Sequence, residues 1–476
     1  MNLKMFLSTA VVFAGMFMPV VGVLAGTSAS PDPTESAFRA LYKELVETNT
    51  TLSVGSCTLA AERLSKHLAA AGYAGDDLRL YTAPGHPKEG GLVATLKGTG
   101  ATKKAILLLA HLDVVEAKRE DWTRDPFTMV EENGYFYGRG VADDKAMAAI
   151  FTDLMIRYRQ EGYRPKRDIK LALTCGEETT SAFNGAAWLA ANHKDWIDAE
   201  FAINEGGGGE FNGSGVKTLM SVQSGEKVNQ NFILETTNPG GHSSMPAPAN
   251  ALYEMAQALN KLQAYEFPVL LNDTTRGYFT TQAQLTGGTL GAAMLAIVKD
   301  PTNAAAYSTL SKNLLWHTML RTTCVGTTIQ GGHAVNALPQ KVRVNVNCRI
   351  FPGVSVDAVR DTLIKVIGNS AVTVTTDLPL SPTPPAPVLT PRIMKPLERV
   401  MAEFYPGVPI VPTMAPFYTD GRQLNSAGIP TYGIDGTFSG ADGDGVHGLN
   451  ERVLVQEVMI DRRFHHRLVK LYADAE

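Results

Sequence analysis

The feature that most restricts the fold of this 476-residue chain is a set of short apolar runs without in-and-out alternation. Residues 105–110 (AILLLA) are apolar throughout, and residues 169–173 and 201–203 come close to it. Runs of this kind are strands buried on both faces, which belong to parallel sheets covered by helices. The segments between them carry helical spacing instead. Residues 56–71 include Leu59, Leu64 and Leu68 and stop at Gly72. Residues 144–161 put Met147, Ile150, Phe151, Leu154, Met155 and Tyr158 on one side, ahead of Gly162. Residues 127–130 and 135–137 flank Asn133-Gly134 and read as a hairpin. The expected class is α/β, a mostly parallel sheet covered by helices.

At ~150 residues per domain the length allows two or three domains. The pattern changes near residue 225. Residues 232–234 read as a strand, 250–262 as a helix, and 324–329 and 342–350 alternate like antiparallel strands. This predicts an inserted α+β domain over residues 224–350, between a first part at 26–223 and a second at 351–476. The second part would hold helix 355–367, strand 372–376, a Pro-rich surface segment at 380–391 and a closing helix at 451–472. Ahead of all this, Lys4 precedes an uncharged apolar run ending in Val23-Leu24-Ala25, the pattern of a secretory signal peptide over residues 1–25. Gly15, Pro19 and Gly22 argue against an uncleaved anchor, and residues 26–34 read as a linker. The mature chain is therefore expected to be secreted or periplasmic and free of the membrane. Four cysteines are too few and scattered for a disulfide scaffold, but Cys324 and Cys348 can pair if their strands are neighbours; otherwise they are buried thiols. Lys plus Arg number 43 against 47 Asp plus Glu, with no basic block, so nucleic acid is not an expected partner.

The chemistry lies where the apolar runs end. His111-Leu112-Asp113 closes the first run, Glu177-Glu178 follows Cys175-Gly176, and Glu205 ends residues 201–205. Asp143 follows the Gly-rich loop 138–142, and His447 sits in the late loop 443–448. Ligands of open α/β sheets bind just beyond the carboxyl ends of strands. Singly, each residue has an ordinary reading: a hydrogen-bonded His, a solvated helix start, an N-cap at Asp143-Asp144. Five such positions in one chain supply two imidazoles and several carboxylates, a mixture suited to a pair of borderline divalent ions such as zinc.

The segments AHLDVV (110–115), YGRGVADDK (137–145), TCGEET (174–179), NEGG (204–207), GGHSSMP (240–246), NALP (336–339), NCRI (347–350) and HGLNE (447–451) resemble, in order, those of the cocatalytic zinc exopeptidases and amidohydrolases. That family includes acetylornithine deacetylase, succinyl-diaminopimelate desuccinylase, aminoacylase, carnosinase and glutamate carboxypeptidase. The resemblance is nearest to its Gly-X carboxypeptidase and secreted N-acyl-amino-acid hydrolase branch. It implies a catalytic domain in two parts with an inserted lid or dimerisation domain, and two divalent ions per chain, zinc first, cobalt or manganese as alternatives. His111 and Glu205 would hold one ion, Glu178 and His447 the other, with Asp143 bridging; Glu205 is preferred to Asn204, which cannot be an anionic ligand. Asp113 would orient the His111 ring, and Glu177 would be the general base. His242 would stabilise the oxyanion, in many relatives from the partner subunit of a homodimer, and Arg349 and Asn336 would hold a substrate carboxylate. Thr419 to Arg422 resemble a further loop near the site. The implied substrate is a small peptide or an N-acyl amino acid, cleaved at an amide. Two other readings remain: a non-catalytic relative that binds peptides or amino acids, and a two-metal phosphoesterase, which would call for more His and Asp ligands and a cationic phosphate clamp.

Overall fold

The structure, a computed structural model, describes residues 34–475 apart from 101–102, 180–182 and 441–442. The expected signal segment at 1–25 and nearly all of the linker lie outside the described residues. No helix among the described residues is long and apolar enough to cross a membrane.

The apolar runs form the middle of a ten-stranded mixed sheet. Strand Ile106–His111 pairs in parallel with Ile169–Thr174 on one side and Phe201–Asn204 on the other. Thr431–Gly433 continues the parallel set beyond Phe201–Asn204. The register places His111 opposite Thr174 and Gly433 opposite Asn204, so these strands finish along one edge. Antiparallel strands flank them, among them Leu78–Ala83, His86–Leu96 and Lys217–Glu226. Helices cover the sheet: Lys145–Gln160 and Val455–Asp474 share a core with Cys57–Ala70 and with Leu108 and Ile203 of the central strands. Ser56 caps Cys57–Ala70 by accepting the Leu59 N–H. Asp144 occupies the cap position of Lys145–Gln160, but its carboxylate accepts the His111 backbone N–H at 3.3 Å rather than capping the helix.

The inserted region has its own antiparallel sheet, in the order Thr323–Gly331, Lys341–Ile350, Val228–Thr237, Val372–Thr376. Helices Ala251–Ala264 and Val356–Ile367 close its apolar face. A return to the first domain at residue 351 was expected, yet Val372–Thr376 pairs along Val228–Thr237 and Val356–Ile367 belongs to the insert's core. Period-two alternation identifies a strand; it does not say which sheet receives it. Helices Asp273–Thr286, Gly288–Lys299, Ala304–Leu310 and Leu314–Met319, which the sequence reading did not anticipate, pack together with Phe351 and Met414.

Cys324 and Cys348 stand opposite each other on neighbouring strands and form a disulfide. A second bridge, Cys57–Cys175, spans 118 residues and ties the start of helix Cys57–Ala70 to the turn preceding Glu177. It shortens the unfolded chain's freedom over a long loop. Replacing Cys57 and Cys175 together by Ala should therefore lower unfolding free energy by about 2–4 kcal/mol, read from urea denaturation at fixed metal concentration. A change under ~0.5 kcal/mol would show that the bridge contributes nothing to stability.

Candidate metal centre and adjoining cavity

The edge where the parallel strands end gathers the residues that follow them. His111 is 2% exposed, and its Nδ1–H donates to the Asp113 backbone carbonyl at 2.9 Å. That leaves Nε2 facing outward, 3.1 Å from Asp143 Oδ1 and 3.7 Å from Glu205 Oε2. On the far side of Asp143, His447 Nε2 lies 3.0 Å from Oδ2 and 2.9 Å from Glu178 Oε1. One carboxylate thus turns its two oxygens toward two imidazoles, and each imidazole has a second carboxylate beside it. Glu177, 7% exposed, brings an oxygen within 4.8 Å of the donor atoms of His111 and Glu205.

The Asp113 carboxylate does less for the His111 ring than expected: its Oδ1 is 3.7 Å from Nδ1, and the backbone carbonyl takes the N–H instead. The carboxylate accepts the Glu178 N–H at 2.9 Å and the Glu177 N–H at 3.4 Å, which fixes the turn carrying both glutamates. Glu451, fully buried, holds the Asp143 loop in the same manner. It accepts N–H groups from Gly140, Ala142 and Asp143 at 2.9–3.1 Å and pairs with Arg139 at 2.7 Å.

Electrostatics show how crowded the site is with negative charge. Burial, then Glu205, pushes the Glu177 carboxyl well above its usual range, and burial lifts Glu205 to about 7. Burial also raises Glu178. Burial opposes a charged His111, but Glu205 and Asp143 outweigh it and raise that imidazole. Hydrogen bonding to Asp143 and then Glu178 lifts His447 to about 10. Asp143 is held low: burial opposes its charge, and the two histidines outweigh burial. Glu205 Oε1 has no hydrogen-bond partner among the described residues. A buried carboxylate set with unused oxygens and two aimed imidazole nitrogens fits two divalent ions. Asn204 is buried beside Glu205, and its Nδ2 is unpaired among the described residues.

A cavity of about 410 Å³ opens from these residues. Asp143, Glu177, Glu205 and His447 line it, together with Asp435 and Asp461. Gly206 to Gly209 form a wall. Residues 206–208 have φ of 102°, 80° and 93°, and a Cβ on Gly206 would fall 2.4 Å from Gln223 Oε1. This glycine segment is thus locked against the sheet. Beneath the site, Asp420 accepts the Thr174 hydroxyl at 2.8 Å and Asn184 Nδ2 at 2.6 Å, while Arg422 is buried and stacks on Tyr418.

His242 and Asn336 do not line this cavity within one chain. His242 is exposed on the two-residue strand Gly241–His242, its Nδ1 engaged by Ser244, and the Asn336 carbonyl accepts the Ser243 N–H at 3.0 Å. Arg349 is half-buried on the polar face of the insert sheet, close enough to Arg422 for the two guanidiniums to oppose each other, with no ion pair among the described residues. Beside it on that face Asn347 donates to Asn229 and Asn231 at 2.6 and 2.8 Å. Asp435 and Asp461 were not singled out from the sequence, and Glu451 and Asn347 fall within HGLNE and NCRI without a role being given to either. Asp435 carried a signal akin to that of His111, a titratable side chain at the end of a short strand segment.

The pattern of peptidase family M20/M25/M40 matches residues 107–471. The chain is 25% identical over 384 residues to a human N-fatty-acyl-amino acid synthase/hydrolase, covering 79% of this chain and 76% of that one. It is 27% identical over 390 residues to a probable carboxypeptidase S-like protein of Dictyostelium discoideum, covering 80% and 74%. In fold it is similar to an M20 family metallo-carboxypeptidase from Sulfolobus solfataricus, with a TM-score of 0.67, 16% identity and coverage of 92% and 99%. It is also similar to human carnosine dipeptidase 1, with a TM-score of 0.60, 16% identity and coverage of 92% and 96%.

Proposed function

The chain belongs to peptidase family M20/M25/M40 and is a metal-dependent hydrolase, and from that premise we propose that it is a secreted dinuclear amidase cleaving small peptides or N-acyl amino acids. The observation that carries the reading is Asp143, whose Oδ1 and Oδ2 lie 3.1 and 3.0 Å from the Nε2 atoms of His111 and His447. His111 with Glu205 would hold one ion, Glu178 with His447 the other, and Asp143 both. Two divalent ions at these residues supply polarisation of the scissile carbonyl and acidification of the attacking water. Glu177 takes that water's proton and returns it to the leaving nitrogen. Asp113 and Glu451 keep the carrying loops in place. Arg349, from the insert, grips the carboxylate of the leaving amino acid, its fork matching two oxygens. His242 and Asn336 lie outside the single-chain cavity, so they reach a site by lid movement or across a dimer formed through the insert. The insert's edge strand Thr323–Gly331, with Val325 60% and Ile329 58% exposed, suits such pairing. Two disulfides and the N-terminal targeting pattern support an oxidising, extracytoplasmic setting.

Elemental analysis should find about two zinc ions per chain. A panel of dipeptides and N-acyl amino acids should be hydrolysed, with activity lost to chelator and restored by zinc, cobalt or manganese. A folded, metal-free and fully active protein would end this proposal. Metal-loaded protein that binds peptides without cleaving any amide would transfer it to the non-catalytic alternative.

A further inference from the structure

The turn that carries Glu177 and Glu178 is tied down by a covalent bond that amide hydrolysis itself does not use. Cys175 follows strand Ile169–Thr174 and is bridged to Cys57, the first residue of helix Cys57–Ala70. The two ends of the bridge differ in how firmly they are held. The helix is fixed through Ala60, Ala61, Leu64 and Leu68, all buried in the main core. The turn is held through its backbone: the Cys175 carbonyl accepts the Gly185 N–H at 2.7 Å, and the Asp113 carboxylate accepts the Glu177 and Glu178 N–H groups. It has little slack. Gly176 has a φ of 93°, and a Cβ there would fall 2.0 Å from the Phe183 carbonyl oxygen. One Asp113 carboxylate oxygen and the two sulfurs lie within 4.8 Å of one another. Two thiols cannot stay at bonding distance, so opening the bridge drives Cys175 away from Cys57. A cavity of about 20 Å³ against the bridge, lined by Asp113 and Thr179, gives a freed sulfur somewhere to turn. Each S–H is also a donor beside the carboxylate that now holds the two amides. Opening the bridge thus reaches the metal-type residues twice, through Cys175 and through Asp113, whose carbonyl holds the His111 ring.

We propose that the Cys57–Cys175 bridge is an activity switch: with both thiols reduced, as in a chain not yet exported, Glu177 and Glu178 are displaced and the hydrolase is off, and bridge formation turns it on. The inference rests on the amidase reading and the extracytoplasmic setting proposed above. On oxidation the two thiols give up two protons and two electrons to a disulfide oxidant, which leaves as a dithiol, and one S–S bond forms. The bridge Cys324–Cys348 lies within the insert sheet, so a Cys324→Ala/Cys348→Ala protein isolates the switch. Oxidised, that protein should bind zinc with wild-type affinity. Reduced by a water-soluble phosphine, freed of reductant under argon and titrating two thiols, it should bind zinc at least about tenfold more weakly. Loaded to two zinc ions per chain, it should cleave the best substrate of the panel with kcat lower by about 100-fold, the scale of an ångström's misplacement. Oxidised glutathione should restore both values. A Cys57→Ala/Cys175→Ala protein should show the same two losses and recover nothing from oxidised glutathione. Zinc affinity and kcat within about twofold of wild type, in either open-bridge protein with native near-ultraviolet circular dichroism, overturn the proposal. So does unfolding at 25 °C of both open-bridge proteins, because the bridge is then a staple and not a switch. If oxidised wild-type protein cleaves no amide, the amidase reading fails and zinc affinity alone decides the switch.

Discussion

Replacing Glu177 by Gln should leave about two metal ions per chain and lower kcat by about 10²–10⁴-fold, the span ascribed to a positioned general base. The substitution keeps the shape of the side chain. It also keeps the turn, because Asp113 holds the backbone N–H groups of residues 177 and 178 rather than the Glu177 carboxylate. What it removes is the ability to take a proton from water. Burial and the neighbouring Glu205 raise the Glu177 carboxyl above its usual range. A competing role is geometrically open. Glu177 lies within reach of the same point as His111 and Glu205, so it could be a ligand. The two roles separate cleanly: a ligand variant loses metal and regains activity as zinc is raised, whereas a base variant stays loaded and slow. Near-wild-type kcat in the loaded variant would remove Glu177 from the mechanism, and loss of about one ion per chain would move it among the ligands.

The parts of this protein that could be read from sequence are those whose signal is local. Residues 105–110 announce a doubly buried strand because every position is apolar, and His111 is conspicuous as the polar residue that ends it. The same reasoning found Glu177, Glu178 and Glu205, which the structure gathers at one sheet edge. What failed was whatever depended on distant pairing. Cys57 and Cys175 meet only because helix Cys57–Ala70 crosses the end of strand Ile169–Thr174. The strand Val372–Thr376 was recognised, but its partner lies some 140 positions upstream. His242 and Asn336 pair their segments with each other, away from the cavity of their own chain. Asp435 was overlooked: it follows the short strand Thr431–Gly433 and Ile434, and it fell outside the matched motifs.

Glu451→Ala is expected to cost about 3–5 kcal/mol in unfolding free energy, the range for breaking one partner of a buried ion pair. Glu451 is fully buried and Arg139 is 2% exposed, so the truncation strands a guanidinium away from water. It also frees the N–H groups of Gly140, Ala142 and Asp143 from the carboxylate that now gathers them. These amides set where the Asp143 side chain begins, and Asp143 is the residue addressed by both histidines. Metal affinity should therefore fall by about 10–100-fold, as for other groups that orient a ligand. The two effects have different remedies, which makes them separable. Adding Arg139→Met to Glu451→Ala removes the stranded charge and should restore part of the stability in urea denaturation of the chelated protein. It restores no acceptor for the three amides, so zinc titration should find the double variant as weak as the single one. Recovery of zinc affinity in the double variant would mean that the ion pair, and not the carboxylate's hold on the loop backbone, positions Asp143.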